Sequence, residues 1–154
     1  MTDEAIRQKY NKLHSEIQKH LFRLKQAFEK LGALKELPIA AMDVADLLNK
    51  EEGVLLLDQI AYRFSKLQDS LGRLLRAYLT LKGENVEHLP IIDVINLLEK
   101  FGFEITPEKW FELREIRNSI AHEYEDEYEK IAWTLNKIHS ELPYLERLFN
   151  ELQL

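Results

Sequence analysis

Asp3 to Leu31 reads D-E-A-I-R-Q-K-Y-N-K-L-H-S-E-I-Q-K-H-L-F-R-L-K-Q-A-F-E-K-L. Its apolar residues are Ile6, Tyr10, Leu13, Ile17, Leu21, Leu24, Phe28 and Leu31, stepping by three or four. That spacing lays one apolar stripe along a long amphipathic helix. Gly32 is the expected stop. The same period recurs downstream. A short helix is expected after Pro38, carrying Val44, Leu47 and Leu48. A second long helix runs from near Glu51 to just before Gly83 and buries Leu55, Leu57, Ile60, Phe64, Leu67, Leu71, Leu74, Tyr78 and Leu81. Pro90 suits the first turn of another helix, with Ile91, Ile92, Val94, Ile95 and Leu98 inward and Gly102 ending it. Thr106-Pro107-Glu108 combines a hydroxyl cap, a proline at the first helical position and an acid favoured by the helix dipole. The helix it starts carries Trp110, Leu113, Ile116 and Ile120 inward. A last helix follows Ile131, Leu135, Ile138, Leu142, Leu145 and Phe149, and Pro143 is expected to kink it. No stretch alternates long enough to suggest a sheet. The reading is all-α: an up-and-down helical bundle of about four long helices plus one or two short ones.

The 154 residues are 45% hydrophobic and 31% charged, a globular balance that fits one domain over residues 1–154. There is no cysteine, which removes disulfides and thiolate metal sites and suits a reducing compartment. The N-terminus has no apolar signal core, and no run approaches membrane-spanning length. A soluble, cytoplasmic protein without a membrane partner is expected. The formal net charge of −6 argues against a broad surface that coats duplex nucleic acid, since such surfaces neutralise phosphates. It leaves room for a small basic cleft.

Arg117 to Tyr124 reads R-N-S-I-A-H-E-Y. A guanidinium, an amide, an imidazole and a phenol fall within one short polar string in an otherwise plain helical chain. Such a set can cut RNA without metal, using the RNA's own 2′-hydroxyl as nucleophile. That reaction needs a base for the hydroxyl proton, an acid for the departing 5′-oxygen, and positive charge for the transition state. His122 can be the base or the acid, because imidazole titrates near neutrality. Arg117 stays cationic and presents a planar fork to phosphate. Asn118 lies one helical turn before His122 and can orient its ring. Arg117 and His122, five apart, are rotated by roughly 140° beyond a full turn and separated by about 7.5 Å of rise. They do not share a face of one straight helix. Either the backbone bends near Ala121-His122, or two chains meet and complete each other's site.

The pattern R-x4-H-x-Y resembles the signature of the HEPN domain family, in particular the HepT-like toxins paired with minimal nucleotidyltransferase antitoxins. The resemblance implies an HEPN-like bundle that works as a homodimer, with both copies of the motif lining one cleft. It implies a metal-independent endoribonuclease toxin with Arg117, His122 and Asn118 as catalytic residues and RNA as substrate. It further implies that the cognate nucleotidyltransferase antitoxin adds AMP to Tyr124, setting phosphate charge beside the site and silencing it. A second wall of the cleft is expected from the earlier long helix, whose polar face offers Asp58, Arg63, Lys66, Asp69, Arg73 and Arg76. Of these, Arg63 and Lys66, together with Arg114 one turn before Arg117, are candidate RNA-binding residues. The alternative is a non-catalytic module that presents substrate to, or partners, a separate nucleotidyltransferase, with Arg117 holding phosphate and His122 structural.

Neither a metal nor an organic cofactor is expected. The acidic run Glu123, Glu125, Asp126, Glu127 and Glu129 beside His122 lacks metal-site spacing and reads as a solvated face. His14, His20, His88 and His139 are scattered singly and read as surface or boundary residues. Trp110 and Trp133 sit at core spacing and read as packing.

Overall fold

The computed structural model describes residues 2–121 and 127–154. Six helices and no strand occur among them: α1 (Asp3–Leu34), α2 (Ala41–Leu48), α3 (Glu51–Leu81), α4 (Ile91–Lys100), α5 (Pro107–Ala121) and α6 (Tyr128–Glu151). The described residues form an all-α bundle. None of these helices is long and apolar enough to cross a membrane.

Local chemistry sets most of the helix ends. Thr2 caps α1 by accepting from the Ala5 amide at 3.2 Å, ahead of Asp3 and Glu4 in the first turn. Thr106 caps α5 by accepting from the Lys109 amide at 3.1 Å. Gly83 and Gly102, just beyond α3 and α4, take positive φ values of 94° and 93°, the left-handed turn that ends a helix and suits glycine. Gly32 does not end α1. Its φ is not positive, and the ladder continues until the Lys35 amide bonds the Leu31 carbonyl at 2.8 Å. The chain then turns extended at Lys35. α6 runs through Pro143 from Tyr128 to Glu151.

The long helices pack antiparallel in sequence order. His20 of α1 meets Arg63 of α3, while Leu34 at the end of α1 shares a surface groove with Glu51 and Leu55 at the start of α3. Asp69 of α3 meets Arg117 of α5, and Gly72 lies against Trp110. Lys109 of α5 pairs with Glu141 of α6. α6 returns along α1, with His139 beside Phe28 and the Tyr10 hydroxyl donating to the Leu152 carbonyl. The four therefore run up, down, up and down around a ring. α2 packs on α3 and α6, and α4 on α3 and α5. One core cluster draws on all six helices, with Ile17, Leu24, Ile60, Phe64, Leu74, Ile95, Leu113 and Ile138 essentially sealed from water. Burying such side chains contributes about 1.5–3 kcal/mol each.

Two core expectations fail at the level of single residues. Leu55 is exposed and its neighbour Leu56 is buried. A run of three leucines supports either rotation of α3, and packing on α1 selects one. Trp133 is exposed while Ala132 is inward, again a rotation of one step.

Two side chains tie loops to the bundle. Asn136 of α6 accepts from the Ile39 amide and donates to the Ile39 carbonyl, both at 2.9 Å. Arg76 of α3 donates to the carbonyls of Val86 and Leu89 at 2.8 and 2.6 Å. Its guanidinium thus holds the segment between α3 and α4 and is turned away from the helix's outer polar face.

Candidate functional site

α5 delivers the motif. Trp110, Leu113 and Ile116 are buried, and Ile120 packs partly buried against the core. Those positions fix the rotation of the helix. Arg117 falls on the flank of this stripe that faces α3. Its Nη2 lies 3.0 Å from Oδ1 of Asp69 and 3.2 Å from Oδ2. Gly72, one turn past Asp69, faces the Trp110 ring of α5. A Cβ there would stand 3.4 Å from the Trp110 ring.

The pair is half open to water, with the Arg117 side chain 39% and the Asp69 side chain 40% exposed. Both carboxylate oxygens converge on one nitrogen, so the two-pronged edge of the guanidinium is not consumed as it would be in a fork-to-fork pair. Nε is buried and has no partner among the described residues. Among the described residues the guanidinium is thus held by Asp69 at Nη2 alone, with 39% of the side chain exposed.

The other candidates divide into two sets. Arg114 and Asn118 are exposed on α5, with Arg114 one turn before Arg117. On α3, Lys66 lies one turn before Asp69 and Arg73 one turn after it, both exposed. Antiparallel packing brings Arg73 and Arg114 to the same level. Among the described residues none of Lys66, Arg73 and Arg114 is paired with a carboxylate, whereas Lys25, Lys35, Lys109 and Arg147 are. A cationic strip thus crosses an acidic protein beside Arg117. Arg63 is not part of it. Six residues before Asp69, it is rotated by about 120° and displaced by about 9 Å, and it faces α1. There its Nη1 lies 3.2 Å from Nδ1 of His20. Burial, then the positive charges of Arg63 and Lys66, push the His20 pKa below its usual range against the pull of Glu16. Since the guanidinium can only donate, the neutral ring accepts at Nδ1 and carries its proton on Nε2.

His122 and Tyr124 lie outside the described residues, as do Glu123, Glu125 and Asp126 of the acidic run. His122 follows α5 directly in the chain.

Two features are not visible in the sequence. Asp69 stood in a row of polar α3 residues with nothing to mark it as Arg117's partner 48 residues away. His20 looked solitary because its partner lies 43 residues off. The one available signal was weak: Asp69 is an acid among Arg63, Lys66, Arg73 and Arg76. Comparison with known proteins found no matching family model, no matching curated protein and no matching solved structure.

Proposed function

We propose that this protein is a metal-independent endoribonuclease toxin of the HEPN type, acting as a homodimer and controlled by a nucleotidyltransferase antitoxin. The observation that carries the reading is Arg117, held by Asp69 and 39% exposed, beside a strip of cations near the end of the helix that His122 follows in sequence. A phosphate gripped by this fork sits within a few residues of a group that moves protons near neutral pH.

The step proceeds as follows. The 2′-hydroxyl loses its proton to a base as its oxygen bonds the adjacent phosphorus. The bond to the 5′-oxygen breaks, and that oxygen takes a proton from an acid. The products are a 2′,3′-cyclic phosphate and a 5′-hydroxyl. Arg117 stabilises the added negative charge at phosphorus. Each chain supplies one His122, so two chains supply the acid and the base together. Asn118, exposed one turn earlier, orients the ring. AMP attached to Tyr124 by the antitoxin adds negative charge two residues from His122 and repels RNA.

The closure of Arg117 onto Asp69 favours a second reading, in which the pair is a strut and the bundle is a non-catalytic partner of a nucleotidyltransferase. Inducing the chain alone separates the two. The toxin arrests growth, His122→Ala relieves the arrest, and the purified protein leaves cyclic-phosphate ends on RNA in the presence of EDTA. A harmless chain whose purified dimer leaves varied RNAs intact refutes the nuclease.

A further inference from the structure

Tyr62, Arg63 and Lys66 form a second cluster on α3, separate from the motif. Tyr62 is 56% exposed, so its ring is accessible from solvent. The Arg63 guanidinium and the Lys66 ammonium each lie 5.7 Å from its ring centroid. Arg63 is held differently from Arg117. Its partner, His20, is a neutral acceptor and not a carboxylate, so the guanidinium is oriented without losing charge. An accessible aromatic ring with two cations over it at 5.7 Å, neither paired with a carboxylate among the described residues, matches a base stacking in exchange with them while they hold its phosphates.

Placement links this cluster to Arg117. Tyr62, Lys66, Asp69 and Arg73 recur at helical spacing and share one stripe of α3. Tyr62 is seven residues from Asp69, or about 10.5 Å along the axis. It lies in the direction in which α5 runs out, four residues past Arg117. That distance is about three steps of a stacked strand at about 3.4 Å each.

We propose that Tyr62, Arg63 and Lys66 form a base-stacking subsite for single-stranded RNA. The strand continues along α3 from the phosphate held at Arg117. This rests on the nuclease reading and extends it: the substrate is unpaired RNA spanning several nucleotides, because a base inside a duplex cannot lie flat on Tyr62.

The test uses the His122→Ala protein, which does not consume its ligand. Fluorescence anisotropy compares a fluorescein-labelled single-stranded RNA with a strand of equal length made of abasic residues. Tyr62→Ala is expected to weaken binding of the base-bearing strand about tenfold and to leave the abasic strand within about twofold. Tyr62→Trp restores the loss. The Arg63→Ala/Lys66→Ala double variant weakens both strands and flattens the salt dependence by about one to one and a half units of slope. A Tyr62→Ala protein that binds the base-bearing strand as tightly as its parent, in a background that still binds and whose wild type still cleaves, overturns the subsite and spares the nuclease. A Tyr62→Ala protein that becomes monomeric by light scattering, where its parent is dimeric, also overturns it and assigns Tyr62 to contact between copies. If the parent binds no RNA and the wild type cuts none, both readings fall together.

Discussion

Removing Asp69 tests what its contact with Arg117 is for. The two side chains are 39% and 40% exposed and meet at 3.0 Å, and a pair that open contributes less than about 1 kcal/mol to stability. At about 2.1 cal/mol/K per residue, the unfolding entropy of 154 residues is about 0.3 kcal/mol/K. Asp69→Ala should therefore lower Tm by no more than about 3 °C. Under the proposed nuclease reading, its effect on cleavage should be far larger. A guanidinium no longer anchored at Nη2 samples several rotamers, and misplacement by about 1 Å can cost a factor of about 100 in rate. Single-turnover cleavage should fall about 10- to 100-fold, equivalent to about 1.4–2.7 kcal/mol. RNA affinity should hold or tighten, because the variant removes a negative charge from a cationic strip. Asp69→Asn keeps a weaker, neutral hydrogen bond and should fall between. Asp69→Ala added to Arg117→Ala should cost nothing more, since the two act as one unit. A loss of more than about 8 °C in Tm with an unchanged cleavage rate would refute the positioning role and leave the pair as a strut.

Gly53 sits where a Cβ would stand 1.9 Å from the Leu47 carbonyl oxygen, so Gly53→Ala must displace α2 from α3 and is expected to cost about 3 kcal/mol in urea unfolding. Gly72→Ala meets only the Trp110 ring at 3.4 Å and should instead gain about 0.5–1 kcal/mol from helix propensity. Asn136→Ala leaves both backbone groups of buried Ile39 without partners and should cost about 2–3 kcal/mol; a change below about 0.5 kcal/mol would mean water replaces the amide. His20 has a folded pKa below its ordinary 6.5, from burial first and then from Arg63 and Lys66. Well above pH 6.5 the ring is neutral whether the chain is folded or not. As pH falls through that value the unfolded chain gains a proton that the fold resists. Tm should thus decline more steeply on acidification in the wild type than in His20→Asn, whose amide oxygen can replace Nδ1 as acceptor for Arg63. Parallel Tm–pH curves would count against a half-buried, neutral His20.

The helical class, the antiparallel bundle and most helix ends can be read from the chain because they depend on neighbours three or four residues apart. Ile6 to Leu31 make one stripe, Thr106 accepts from an amide three residues on, and Gly102 turns left-handed next to the helix it ends. The motif from Arg117 to Tyr124 is visible for the same reason, as a contiguous string. Contacts between helices are another matter. Periodicity specifies a stripe only to within about one residue of rotation, about 100°, and says nothing about how far one helix slides along another. That latitude is why Leu56 and not Leu55 faces inward, and why Trp133 is outside. It is also why Asp69 could not be matched to Arg117, or His20 to Arg63, across more than forty residues of chain. Arg76 shows the limit most directly: on a helical wheel it belongs with Tyr62 and Asp69, yet two loop carbonyls claim its guanidinium. Close packing of side chains between α1, α3 and α5 settles those rotations and slides, and with them which charges meet a partner across helices, as Asp69 does with Arg117.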